Sequence, residues 1–157
     1  MISEKYKIVP VASDLDMATT LSGDSINMKN YLRATFILGY QTLGGASTTL
    51  ALWSGAADGD LTSVVTFRYA WMSAAAAAAD CDVLGAWTIG TGLTVTHGTY
   101  SNYTLVIEVE ASAMDVSEGE EWLTIVSTDP TGATGNVQIH AILEGRYSGG
   151  QSITALE

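Results

Sequence analysis

Ser63-Val64-Val65-Thr66-Phe67-Arg68-Tyr69-Ala70-Trp71 and Tyr103-Thr104-Leu105-Val106-Ile107-Glu108-Val109-Glu110-Ala111 decide the fold. In the first, Val65, Phe67, Tyr69 and Trp71 alternate with Thr66, Arg68 and Ala70; in the second, Leu105, Ile107 and Val109 alternate with Thr104, Val106, Glu108 and Glu110. Side chains of a β-strand point to opposite faces in turn, so each stretch predicts a strand with one buried face. Between them stand the run Ala74 to Ala79, the acidic triplet Asp80-Cys81-Asp82 and the segment Trp87 to His97. Alanine is the best helix former, and the run predicts a short helix from a Ser73 cap to about Ala79. Gly90-Thr91-Gly92, flanked by Ala86 to Ile89 and Leu93 to Thr96, predicts a hairpin.

The same pattern extends outward in both directions. Lys5 to Ala12 reads as a strand, with Tyr6, Ile8 and Pro10 on one side and Lys5, Lys7, Val9 and Val11 on the other. Pro10 has no N–H to give a ladder, which places this strand at a sheet edge or ends its pairing there. Residues 13–30 have no clean period and read as a long loop, with room for a short helix over Asp14 to Thr19. Tyr31 to Gln41 is a strong strand, with Leu32, Ala34, Phe36, Leu38 and Tyr40 on its apolar side. Thr48 to Ser54 returns with Leu50 and Leu52 inward, or with Thr49, Ala51 and Trp53 in the other phase. Met114 to Glu121 reads as a solvated acidic loop, Trp122 to Thr128 as a strand, and Asp129-Pro130-Thr131-Gly132 as a turn. Asn136 to Ser148 is the last strand, with Val137, Ile139, Ala141 and Leu143 facing in. The expectation is an all-β, single-domain β-sandwich, jelly-roll-like, of about eight strands with one or two short helices. It divides into an N-terminal arm or edge strand (1–12), the sandwich (13–148) and a C-terminal tail (149–157).

Composition narrows the function. The chain has 157 residues, of which 47% are hydrophobic and only 15% charged, against about 25% charged in an average domain. Charge is a main device for blunting sheet edges, so a hydroxyl-rich β surface suits a protein that neighbours cover. The net charge of −11 repels phosphate backbones, and nucleic acid is not an expected partner. No stretch reaches the ~18 apolar residues of a membrane-spanning helix, and no membrane partner is expected. The N-terminus, with Glu4, Lys5 and Lys7, has no apolar segment of the kind that opens a secretion signal.

Residues that could carry chemistry are few. His97 and His140 are the only histidines, and His140 takes the outward phase of its strand. No Gly-x-Ser-x-Gly elbow, His-x-x-x-His pair or phosphate-binding loop is present. Cys81 is the one cysteine, and a small buried thiol is its expected role. Asp58-Gly59-Asp60 and Asp80-Cys81-Asp82 offer paired carboxylates in loops but lack the graded spacing of a calcium loop, and solvated turns are expected. The expectation is a chain without enzymatic activity, catalytic residues, metal or cofactor. Carbohydrate binding through exposed rings is the alternative: Trp71 shares the core phase of its strand, while the positions of Trp53, Trp87 and Trp122 stay open.

Several phrases together resemble small structural proteins of tailed bacteriophages that accompany the major capsid protein. They are Gly23-Asp24-Ser25-Ile26-Asn27-Met28-Lys29-Asn30-Tyr31 with Ala34-Thr35-Phe36, then Val65-Thr66-Phe67-Arg68-Tyr69, and Ala141-Ile142-Leu143-Glu144 before Arg146-Tyr147. The resemblance implies a capsid decoration or cement protein: a β-sandwich or jelly roll, oligomeric on the outer surface of the virion shell, with the major capsid protein as partner. Lys5, Tyr6, Lys7, Ile8 and Val9 are the expected capsid contact, adding as a strand to a neighbour's sheet edge. A homotrimer is the expected self-assembly, since a closed ring buries sandwich edges. A head–tail or tail structural protein is the alternative within the same class.

Overall fold

The computed structural model describes residues 5–128, 132–147 and 154–156. Among these residues twelve strands form two antiparallel sheets. The larger sheet has the order β1(Tyr6–Asp16), β12(Asn136–Gly145), β4(Tyr31–Tyr40), β10(Thr104–Glu110), β7(Phe67–Trp71), β8(Thr88–Gly90). The other has the order β2(Leu21–Ser22), β11(Trp122–Thr128), β5(Thr48–Gly55), β6(Ser63–Val65), with β3(Ile26–Asn27) also on β11 and β9(Leu93–Val95) also on β5. The chain passes between sheets at most connections, so neighbours in a sheet are distant in sequence. Strands β1, β12, β4 and β10 facing β2, β11, β5 and β6 give the order of a jelly roll, the all-β sandwich expected.

Alternation built this core. On β4 Ala34, Phe36 and Leu38 are fully buried, on β10 Leu105 and Ile107, and on β12 Ala141 and Leu143. They pack against Leu50 and Leu52 of β5 and Leu123 and Ile125 of β11, which settles the phase of β5 in favour of its leucines. Val9 and Val11 of β1 join them, leaving Tyr6 and Ile8 on the other side.

Several expectations are corrected. Residues 63–71 keep one phase, with Val65 and Phe67 both buried, yet they are two strands: the chain leaves the β5 edge after Val65, and β7 pairs with β8 from Phe67 and with β10 from Arg68. The Gly90-Thr91-Gly92 turn likewise separates sheets instead of closing a hairpin, since β8 pairs with β7 and β9 with β5. The short strands account for a count above eight. The alanine run forms turns, with Ala77 and Asp80 at φ of 68° and 64°. Its amides are taken by Asn102 O and nearby turn carbonyls, for example Ala76 N to Asn102 O at 2.8 Å. Six small side chains bury too little to hold a one-turn helix on a sandwich, and helix propensity alone does not stabilise so short a segment. Asp14 to Thr19 holds no helix either; β1 runs to Asp16, with Asp14 at φ 58° marking its irregular end. Leu32 is 47% exposed, because the register shift between Glu144 and Gly145 opposite it turns Tyr31 inward instead. Among the described residues, helix is confined to α1(His97–Tyr100), two single 3₁₀ turns and Lys5, which is helical just before β1 instead of opening that strand. The turn at 129–131 lies outside the described residues, as does most of the tail; Ala155 of the tail is buried and accepts from Asn27 N at 2.9 Å.

Two predictions follow from the core. Phe36→Ala should cost about 3–5 kcal/mol in urea unfolding, while Gln138→Ala on the solvent side should stay within about 0.5 kcal/mol. Tyr40 carries a hydroxyl that is buried without a hydrogen-bond partner, and burial raises its pKa above the ordinary 10.0. The stability gained by keeping this phenol neutral is complete below its unfolded pKa and is lost as pH rises past it. Tyr40→Phe should therefore match or exceed the wild type at pH 7 and lose less stability above pH ~10; a large loss at neutral pH would contradict this placement.

Candidate functional site

The two sheets differ on their outward sides. On the smaller one, β11 is buried on both faces, and Gly59 N of the loop after β5 donates to Ser25 Oγ at 3.1 Å, which in turn meets Thr124 Oγ1 at 2.7 Å. The larger sheet is open over its first two rows, while Val106 and Ala70 of the third are buried; its strand registers arrange the outward-phase residues in three transverse rows. The first is Tyr6, Glu144, Arg33, Glu110; the second is Ile8, Ile142, Thr35, Glu108, Arg68, Ile89; the third is Pro10, His140, Ile37, Val106, Ala70. Antiparallel pairing brings cross-strand neighbours to about 5 Å, so a row acts as a unit.

Charges on this face are compensated sideways. Arg33 Nε donates to Glu110 Oε1 at 2.7 Å, its Nη2 lies 2.6 Å from the same oxygen, and its Nη1 lies 4.0 Å from Glu144 Oε2. The Glu110 hydrogen bond, above all, raises the Arg33 pKa further above its ordinary value. Arg68 Nε donates to Glu108 Oε2 at 2.7 Å, its Nη2 pairs with that oxygen, and its guanidinium carbon sits 4.8 Å from the centroid of Trp87. At the two ends of the second row stand apolar groups, with Ile89 75% and Ile8 57% exposed. Shallow depressions of about 310 Å³ each flank Arg33, one floored by Tyr6, Thr35 and Ile142, the other by Phe67, Ile89 and Val109.

The expected contact residues sit at the rim of this face. Tyr6, Lys7, Ile8 and Val9 form the first half of β1, paired on one side with Glu144, Leu143, Ile142 and Ala141 of β12; Lys5 precedes the strand. Among the described residues the other side of β1 is the edge of the sheet. Its second half is guarded by Pro10 and by register shifts between Pro10 and Leu15, devices that discourage pairing, whereas Tyr6 to Val9 is regular.

The remaining candidates are placed as follows. Trp122 is 7% exposed, Trp53 is half-buried, and Trp87 is 40% exposed under Arg68. Trp71 stacks on Tyr100 at 3.8 Å and meets Tyr40 at 5.6 Å, and Tyr103 closes on Tyr100 edge-on at 5.7 Å. Trp71, Tyr100 and Tyr103, with Tyr69, also line a shallow depression of about 480 Å³. His97 is buried, its Nδ1 2.8 Å from Gly44 O and its Nε2 3.4 Å from Thr48 Oγ1, and joins loops. His140 is exposed and Cys81 half-buried. Among the described residues no three His, Cys, Asp or Glu groups come together as a metal cluster, and Asp58, Asp60, Asp80 and Asp82 are exposed.

Glu120 departs from its reading as a solvated loop residue. It is 3% exposed and accepts from Ser54 Oγ at 2.5 Å and Ser63 Oγ at 2.9 Å. Its partners are 66 and 57 residues away, so no local pattern marks it. Ser54 is fully buried, which bars a substrate from this hydroxyl; the cluster ties β5, β6 and the loop before β11 together.

No family model and no curated protein matches the chain. Among solved structures it is similar to the SPBc2 prophage-derived protein YomS, with 8% sequence identity and a TM-score of 0.49, over 88% of this chain and 91% of that one.

Ser54→Ala removes one of two donors from a buried carboxylate and should cost about 1–3 kcal/mol in denaturant unfolding; a change within error would mean Glu120 does not depend on it.

Proposed function

We propose that this chain is a non-enzymatic virion structural protein of a tailed bacteriophage, which binds the outer surface of the capsid and stabilises the shell across capsomer junctions. The observation that carries the reading is the first half of β1: a regular strand at the sheet edge, beside a broad outward face whose charges are already compensated. A neighbour's strand can add to such an edge through main-chain hydrogen bonds, with Tyr6 and Ile8 giving specificity on one side. The resemblance of the Gly23 to Phe36, Val65 to Tyr69 and Ala141 to Tyr147 phrases to phage head proteins supports the same reading. The major capsid protein is the partner, and the acidic balance suits the outside of the head, away from packaged DNA. Enzymatic activity has no support in accessible groups, since the best-ordered polar clusters, at Glu120 and His97, are buried.

Deleting the first nine residues is a poor test, because Val9 is a core residue and the strand pairs with β12. Ile8→Lys is better: Ile8 is exposed, and a lysine on an edge strand opposes pairing. On phage heads lacking the protein, the wild type should bind saturably at hundreds of copies, counted by gel densitometry. The variant should bind at least tenfold more weakly with an unchanged circular dichroism spectrum. A dozen wild-type copies or fewer would assign the chain to a vertex or the tail, and equal binding by the variant would remove β1 from the contact.

A further inference from the structure

We propose that the outward face of the larger sheet pairs with the same face of a second copy of this chain, about a two-fold axis parallel to the strands and midway between β4 and β10. Such an axis lays each strand over the one equally far on its other side: β4 over β10 of the second copy, β12 over β7, and β1 over β8. Each transverse row stays over its own counterpart, so the strand registers dictate which side chains meet.

The pairs that result are complementary. In the first row Arg33 falls over Glu110 of the second copy, and Glu110 over Arg33. In the second, Thr35 meets Glu108 as hydroxyl to carboxylate, Ile142 meets the aliphatic stem of Arg68, and Ile8 meets Ile89. The third row contributes Ile37 alone beside the axis, since Val106 and Ala70 are buried. No like charges are superposed in any row. Facing sheets pack about 10 Å apart at roughly −30°, so the fit is closest at the axis, where Arg33 with Glu110 and Thr35 with Glu108 lie.

Charge and size agree with this choice. The chain carries −11, and copies repel one another over most of their surface, but this face holds two arginines against three glutamates and is close to neutral. Four strands by about seven residues, with the shorter β7 and β8, span roughly 550 Å², at the lower limit of the about 600–1,000 Å² a side in stable interfaces. A self-complementary patch closes with two copies, so the homotrimer expected from the sequence would need another surface. The pairing shares Ile8 with the capsid-binding reading, but the residues that test it, Arg33 and Glu110, lie on inner strands away from the β1 edge.

Sedimentation equilibrium tests the pairing with two charge reversals. The wild type should have the mass of two chains at micromolar concentration, and Arg33→Glu and Glu110→Lys should each associate at least tenfold more weakly. An equimolar mixture of the two variants should regain the two-chain mass, because each supplies the charge the other lacks. Restored stability within one chain could not produce that result. Ile37→Lys, beside the axis, should also sediment as a single chain, and serves if a charge reversal fails to fold. A wild type of one or three chains, or a mixture no heavier than its components, would overturn the proposal.

Discussion

The register of β4 is the constraint on which the rest depends. This strand lies between β12 and β10, with ladders on both sides, and its inward residues Ala34, Phe36 and Leu38 have no contact with solvent. Side chains alternate with a period of two, so a slip by one residue would expose that core stripe and bury Arg33, Thr35 and Ile37. The same register therefore fixes the hydrophobic centre and the order of charges on the outside. Arg33 meets Glu110 and Glu144 because Phe36 must meet Ile107 and Ala141 from the same two strands.

Long-range pairing explains which parts of the molecule could be read from the sequence. Strands β4, β10 and β12 each span seven residues or more with one apolar face, and their alternation is visible in the residues themselves. The inward set of β12, Val137, Ile139, Ala141 and Leu143, is the set its pattern marks. Where a strand is short or the chain changes sheets, the pattern continues without a break: Val65 and Phe67 keep their phase while Thr66 carries the chain from one sheet to the other. The alanine run misled for a related reason, since its conformation is set by Asn102 and by turn contacts and not by its own propensity. Glu120 could not be singled out, because the two serines that make its burial tolerable come from β5 and β6. The edge position of β1 was legible through Pro10, whereas the open face of the larger sheet appeared only when six strands were set side by side.

The polar chemistry of this chain is concentrated in structural roles. Buried serines hold a carboxylate, a buried histidine joins loops, and the tyrosines and Trp71 stack on one another. What the molecule offers to the outside is area: a flat face with laterally paired charges and one regular strand edge. Surface ion pairs of this kind add little to stability, typically below ~1 kcal/mol. Their consequence is the arrangement itself, a fixed sequence of positive, negative and apolar groups that only a matching surface can cover.

The claim that the chain works by covering protein surface on the outside of a phage head is tested most directly by electron cryomicroscopy of heads incubated with the purified protein. Density for the sandwich at the junctions between capsomers, with the Tyr6 to Val9 edge lying alongside a strand of the capsid protein, is the predicted result. Bare capsomer junctions at saturating protein, or density confined to a portal vertex or tail, would contradict it.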